Sequence, residues 1–514
     1  MRLLPSGRCM PELVTIRRWA KVLDQTRCIG CHACSTACKS ENGVPLGVNR
    51  TYVKAVEIGT FPVLRRAFQV TRCNQCDSAP CTVACPTRAM YRRRDGIIDF
   101  DKSICIGCKA CIAACPYDAI FINPEDHSAE KCNLCSHRID AGLEPACVTV
   151  CPTGAIIVGD LDDPSSAVAR VVQRDVVAVR RPDKETHPKV FYRGAHAATL
   201  DPLAARRPGG GLYLWSEQPR GSHAVAAGHP GQPNSSAAAL LAYDVAHQAP
   251  WDWRVSLYTW TKGIAAGVYL VGVLLLALGA VAPADAVWRW VVPVAAGGFL
   301  AATGVILIAD LEHPARFLLI FTRHHGKSWL VRGAFIIAAY GAVLGGHLAM
   351  SLAGASRASA WLAIAGGPLA AMTAIYTAFL FAQAKARDLW QSPLLPPHLV
   401  VQAVAVGSAA LLLLEPVAPV PHALVSWLLA AAAAVHGLMV IGEITLTHST
   451  AHARLAIREM TTGRHGRVFW LGLALAAVAV AAPWLPIVSP LAALAGILAF
   501  EHAHVQAGQS VPLA

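Results

Sequence analysis

Apolar and polar positions divide this chain of 514 residues into two unlike parts. In residues 1–199 the apolar runs are short and broken by charges, Gly and Pro, the pattern of a small α+β domain. Within it, 164–174 predicts a helix and 189–192 a strand. After about residue 255 the runs lengthen to 255–281, 287–309, 329–352, 361–382, 399–414, 424–444, 468–486 and 490–505. Most of these reach across a bilayer core, so an all-α bundle of eight spans is expected. Seven is the alternative count, because the fifth run is short and only Pro483, Pro486 and Pro490 separate the last two. Buried helices of a soluble protein fit poorly, since so many near-uncharged runs would need a soluble partner to cover them. Gly263, Gly267 and Gly272 suit close helix packing in lipid. Residues 200–250, rich in Pro, Gly and Ala, read as a linker partly ordered against a neighbouring surface. The expected organisation is thus a head (1–199), a linker (200–250) and a membrane domain (251–514).

Composition sharpens this picture. Hydrophobic residues make up 54% and charged residues 15%, with the apolar excess after residue 255. The net charge of +12 does not point to nucleic acid, because no basic stripe or aromatic-basic interleaving accompanies it. With eight spans, one set of loops carries Arg316, Arg323, Lys327, Arg332, Lys385, Arg387, Arg454, Arg458, Arg464 and Arg467, while the other carries only Arg289 and Arg357. That asymmetry puts the head in the cytoplasm; the same charges would also serve to dock the head. Arg17-Arg18 is followed by polar residues, not the apolar stretch of an export signal.

Seventeen cysteines precede the linker, and sixteen form four sets of four. These are Cys28, Cys31, Cys34, Cys38; Cys73, Cys76, Cys81, Cys85; Cys105, Cys108, Cys111, Cys115; and Cys132, Cys135, Cys147, Cys151. Three sets close with Cys-Pro. C-x2-C-x2-C-x3-C-P is the spacing of a two-cluster ferredoxin: three thiolates wrap one iron–sulfur cube and the fourth reaches another. Four [4Fe-4S] clusters are therefore expected, with the second run paired to the third and the first to the fourth. The ligand sets would be Cys28, Cys31, Cys34, Cys151; Cys38, Cys132, Cys135, Cys147; Cys73, Cys76, Cys81, Cys115; and Cys85, Cys105, Cys108, Cys111. A structural zinc site uses two pairs, not triplets followed by Cys-Pro. Cys28-Ile-Gly-Cys31-His32 matches a haem attachment pattern, but Cys34 and Cys38 follow at once. Neither zinc nor haem is expected, and Cys9 is read as an ordinary thiol.

Cys73-Asn-Gln-Cys76-Asp-Ser-Ala-Pro-Cys81-Thr-Val-Ala-Cys85-Pro86, Cys105-Ile-Gly-Cys108-Lys-Ala-Cys111 and the 137–147 segment resemble the four-cluster subunit of the dimethyl sulfoxide/polysulfide reductase family. The membrane part is similar to the NrfD/polysulfide reductase anchor, on Asp310-Leu-Glu-His-Pro-Ala-Arg316-Phe, Ser328-Trp-Leu-Val-Arg-Gly333 and Ala507-Gly508-Gln509. The two subunits are usually separate chains in that family; here they are fused. Some relatives carry tryptophan in place of a cysteine of the third run, whereas here Cys108 is present. The resemblance implies a ferredoxin-like head on a polytopic anchor in a bacterial inner membrane. It also implies a separate molybdopterin-containing catalytic subunit, with electrons exchanged singly with menaquinone or ubiquinone.

A quinone needs polar groups near the last cluster, and intramembrane ionisable residues are costly enough to be candidates. They crowd the cluster side: Tyr258, Thr261, Lys262, Asp310, Glu312, His313, Tyr376, Lys385, His436, Glu443, Glu501 and His502, against His347 and Glu415 on the far side. The resemblance nominates Tyr258, Lys262 and Tyr376 as the quinone pocket. Against this, Tyr258 and Trp260 would also suit an interfacial belt, and Lys262 would also suit snorkelling. Asp310, Glu312 and Arg316 would equally form a docking network, and His436 with Glu443 either a proton path or interhelical hydrogen bonds. Two other classes stay open: a proton-translocating anchor on the same wire, and a redox sensor or scaffold without quinone turnover.

Overall fold

The computed structural model describes residues 17–60, 62–206 and 239–514. Cys9 and much of the expected linker lie outside these residues. In the head, strand Trp19–Asp24 pairs antiparallel with Ile156–Asp160 and parallel with Val190–Arg193, which pairs in turn with Val177–Ala178. This four-stranded sheet clasps the two ends of the head sequence together. Thr51–Thr60 and Val63–Arg72 form a hairpin that ends at Cys73. Two small hairpins, Met90–Arg92 with Ile98–Phe100 and Ile120–Ile122 with Ala129–Lys131, follow the second and third cysteine runs. The expected helix and strand are present as Ala167–Arg174 and Val190–Arg193.

Within the stretch read as linker, Leu240–Tyr243 adds a third strand to the long hairpin by pairing with Thr51–Thr60. Leu241 fills a small core with Val56, Ile58 and Ala198. The alternation Leu240-Leu241-Ala242-Tyr243 is too short to stand out in Ala-rich sequence, which is why composition suggested only a linker there.

Among the described residues, seven helices are long and apolar enough to cross a membrane: Trp253–Ala277, Val287–Ala309, Trp329–Leu352, Ser356–Ala382, Leu395–Leu413, His422–Thr445 and Val488–Gln509. An eighth apolar helix, Gly466–Ala479, is shorter and gives way to turns around Pro483 and Pro486. It packs along the last span. The fifth span is the most enclosed, with 72% of its apolar stretch buried, against 28% for the third, which therefore lies at the periphery. First and fifth spans touch backbone to backbone where Gly267 meets Ala403 and Gly407. Gly272 packs on Val292, whereas Gly263 has only ordinary contact with Val406. Close packing thus holds for two of the three glycines.

Candidate functional site: cysteine cradles and the buried polar cluster

In each cysteine run the residue just before the second cysteine has positive φ: Gly30 (+70°), Gln75 (+48°), Gly107 (+70°) and Leu134 (+63°). That turn folds the loop back so that three thiols face one centre. Glycine is demanded at two of them, since a Cβ would strike Phe68 at Gly30 and Glu312 at Gly107. For Gln75 and Leu134 the left-handed conformation costs about 1–2 kcal/mol each.

The loops gather the thiols into four groups. Cys28 has Cys31, Cys34 and Cys151 around it, and these line one cavity. Cys38 neighbours Cys132, Cys135 and Cys147. Cys81 neighbours Cys73, Cys76 and Cys115. Cys85, Cys105, Cys108 and Cys111 line another cavity. Among the described residues, no three His, Cys, Asp or Glu side chains are drawn close enough for a single metal ion. The groups follow one another: Cys111 lies near Cys81, Cys132 shares a core with Cys73 and Cys76, and Cys34 lies near Cys147. Cys31, in the last group, is exposed.

The surroundings fit an anionic inorganic cube. Backbone N–H groups of Met90, Ala129 and Ala155 donate to Cys85, Cys105 and Cys151 Sγ at 3.3, 3.4 and 3.2 Å. Such bonds favour thiolate over thiol. Burial pushes the Cys38, Cys76 and Cys115 thiols up to about 12 when only protein surrounds them. Cys147 differs. Burial raises it too, but the Lys21 ammonium and the Arg72 guanidinium outweigh that and bring it to about 7. Arg72 Nη1 donates to Cys147 Sγ at 3.1 Å, while its Nε and Nη2 find no partner among the described residues.

The group containing Cys105 faces the bundle. Glu312 pairs with Lys109 at 2.9 Å, and His313 N donates to Ile106 O at 3.2 Å. Arg316 Nη1 donates to Lys102 O and Cys105 O at 2.9 and 2.8 Å. His325 Nδ1 meets Cys85 O at 3.1 Å, and Ser328 Oγ donates to Ala84 O at 2.8 Å. Trp251 Nε1 reaches Cys108 O at 3.5 Å, just before the first span. Glu312 and Arg316 therefore dock the head; Arg387 instead donates to Gln509 O and Val511 O at the C-terminus. The basic-loop surplus is partly a docking device.

Below this contact, Tyr258, Lys262 and Tyr376 come together as nominated. Lys262 Nζ donates to Ala374 O at 2.9 Å and Thr377 Oγ1 at 2.6 Å, and lies 4.7 Å from the Tyr376 ring centre. Lys262 is 1% exposed and Tyr258 4%, which excludes the snorkelling and interfacial-belt readings. Trp260 instead donates to Leu494 O.

Sequence reasoning missed most of a second buried cluster beside it. His398 Nε2 meets His436 Nδ1 at 2.7 Å, Phe500 packs on both rings and on His504, and Glu501 faces Lys262. His436 Nε2, both His504 nitrogens and Glu501 Oε2 have no partner among the described residues. His436 thus pairs with His398, which was not singled out, rather than with Glu443. The available signal was histidine within apolar runs at 398, 436 and 504, too sparse to link without the packing.

Comparison with known proteins agrees with both halves. The 4Fe-4S dicluster domain family matches residues 64–161, and the polysulphide reductase NrfD family matches residues 243–499, half of the sequence. This protein belongs to the NrfD family. Its head is 42% identical to a tetrathionate reductase subunit of Salmonella typhimurium over 205 residues, which is 39% of this sequence and 80% of that protein. It is 40% identical to a polysulfide reductase chain of Wolinella succinogenes, covering 34% of this sequence and 93% of that one. It is also 34% identical to the arsenate respiratory reductase iron-sulfur subunit ArrB of Shewanella, covering 34% and 95%. This NrfD-family protein is thus an iron–sulfur subunit fused to its membrane anchor.

Proposed function

We propose that this chain carries electrons singly between a separate molybdopterin-containing catalytic subunit and membrane quinone. When bound, four [4Fe-4S] clusters, one per cysteine group, supply one-electron exchange along the head. The sixteen cysteines serve as iron ligands in the sets above, with Cys9 left out. The exposed Cys31 group is the end offered to the catalytic partner, and the Cys105 group is the end offered to the bundle. The single observation carrying this reading is the row of four thiol groups that starts against Glu312 and ends at the surface.

Tyr258, Lys262 and Tyr376 form the quinone-reactive site in this proposal. Lys262 offers a proton and a positive charge where a quinone carbonyl would bind, and the two phenols position the ring. His398, His436, His504 and Glu501 hold protons and water next to Lys262; their unpartnered atoms support that role, which quinone reduction requires. The head, linker and membrane domain divide near residues 199 and 250, with the head on the cytoplasmic side of a bacterial inner membrane. Protease access to the 207–238 stretch in right-side-out and inverted vesicles tests the side.

Reduction by a short-chain quinol tests the main reading. The purified protein should show cluster signals by EPR, and Lys262→Met should cut that rate at least tenfold while leaving dithionite reduction intact. Equal rates in Lys262→Met would move the quinone site elsewhere, and no reduction in the unaltered protein would favour a sensor or scaffold.

A further inference from the structure

Strand Trp19–Asp24 buries a lysine in an apolar strand, and the hairpin ending at Cys73 buries an arginine. Both are 1% exposed, and neither has an ion-pair partner among the described residues. A lone buried cation is costly, so an anion must lie within reach. The thiols within hydrogen-bonding reach of them belong to one group, and Arg72 also acts on Cys34 of the next. Lys21 Nζ stands 3.9 Å from Cys132 Sγ and 3.8 Å from Cys147 Sγ, and Arg72 Nη1 stands 3.1 Å from Cys147 Sγ. Arg72 keeps two more donor nitrogens without a protein partner.

The other groups have fewer unpaired buried cations beside them. Lys109, beside the Cys105 group, is neutralised by Glu312 at 2.9 Å. Lys131, buried near Cys81 and without an ion-pair partner among the described residues, brings that group a single cation, its ammonium held by the carbonyls of Ile98 and Cys132. In the last group Cys31 is open to water, which screens charge.

Resting on the ligand sets proposed above, we propose that Lys21 and Arg72 are potential-setting residues that make the Cys38, Cys132, Cys135, Cys147 site, third from the membrane, the most easily reduced of the four. Adding one electron to a cube held by four thiolates makes the site one charge more negative. Two fixed, unpaired cations favour that state, and no proton is taken up. The electron comes from the neighbouring cube, which is oxidised by one, and ultimately from quinol or the catalytic partner. A resting place in mid-wire lets an electron from a two-electron donor wait while its mate follows.

The test is a potentiometric EPR titration of the purified full-length protein, with iron and sulfide counted first. Lys21→Gln should lower the reduced-to-oxidised ratio of the first-appearing signal at fixed potential at least tenfold, about 59 mV for one electron, and leave later signals in place. Arg72→Lys, which keeps the charge, should leave that signal near its original potential. Cys135→Ser, a ligand change at the same site, should alter that signal before any other. The inference fails if the first signal ignores Lys21→Gln, or if it responds to Cys108→Ser and not to Cys135→Ser. If Lys21→Gln lowers the iron content, the pair Arg72→Lys and Arg72→Gln decides: equal potentials in the two overturn the inference. Fewer than four cubes in the unaltered protein would sink the ligand sets instead, a separate outcome.

Discussion

Replacing Gly107 with alanine would show how closely the head must sit on the bundle. Gly107 lies between Cys105 and Cys108 with φ +70°, where an alanine costs about 1–2 kcal/mol. A Cβ there would run into Glu312 Cβ and lie 2.9 Å from its Cγ and 3.0 Å from its backbone nitrogen. Rotating the Glu312 side chain clears neither its Cβ nor its amide, so the cysteine loop or the 310–316 turn has to move. Movement strains the Lys109–Glu312 pair at 2.9 Å and the His313 N to Ile106 O bond at 3.2 Å. The ion pair is partly exposed and worth at most about 1 kcal/mol; the hydrogen bond adds about 1 kcal/mol. The backbone cost falls on the loop whether or not the head is docked, so the docked arrangement itself loses about 2 kcal/mol, a factor of about 30.

The assay compares two reductants on the same protein. Dithionite reaches the head from water, while in the proposed reading a short-chain quinol acts through the bundle. Gly107→Ala is expected to keep its iron and its dithionite-reducible signals but to be reduced by quinol at least tenfold more slowly. Gly142→Ala is the control: its φ is +74° and nothing lies within 4 Å, so it carries the strain without the clash. Equal quinol rates for Gly107→Ala and the unaltered protein would refute the claim that electrons cross at this contact.

Three further outcomes follow from the same geometry. Gly267→Ala should prevent stable folding of the bundle, because the new Cβ meets the Ala403 backbone, while Gly263→Ala should be tolerated; detergent-solubilised yield and gel filtration check both. His247 pairs with Asp118 and faces Asp244 Oδ1 at 3.2 Å; burial lowers its pKa but the two carboxylates outweigh that and push it up to about 10. Its contribution is complete below about pH 6.5 and is lost as pH rises through 10, so the temperature at which cluster absorbance bleaches should fall between pH 7 and 10, and much less in His247→Gln. His436→Leu should slow quinol-driven reduction about a hundredfold, the low end for a placed proton carrier, with dithionite reduction unchanged; an unaltered quinol rate would leave His436 a packing residue.

The cysteine runs were legible because most of their information is local: three thiols close in sequence and a turn before the second, with the fourth thiol of each group lent by another run. The spans were legible because a bilayer demands a length, and 329–352 was read at its observed limits. The eighth helix was overextended because apolar composition continues through 480–486 while prolines end the regular hydrogen bonding. Strand Leu240–Tyr243 was hidden because its partner, Thr51–Thr60, lies far away in sequence. Lys21 carried a readable signal, a charge in the apolar alternation Trp-Ala-Lys-Val-Leu, but its meaning depended on which thiols the fold brought beside it.

The same distinction explains the polar cluster in the bundle. A lone histidine in an apolar span has no preferred meaning, since one interhelical hydrogen bond satisfies it as well as a proton path does. His398 and His436 satisfy one another, which taken alone favours packing. Packing does not account for the remainder: His436 Nε2, both His504 nitrogens and Glu501 Oε2 stay unpartnered among the described residues, and Glu501 faces Lys262. Buried polar atoms are costly when unpaired, and ordered water is the usual remedy where several converge. Water in that region, beside an ammonium and under a head of iron-binding loops, would serve the proposed joining of proton uptake to electron delivery. Replacing His504 with phenylalanine would fill that space with an apolar ring, so it should slow quinol turnover more than it lowers stability. The reverse order would return the cluster to a packing role.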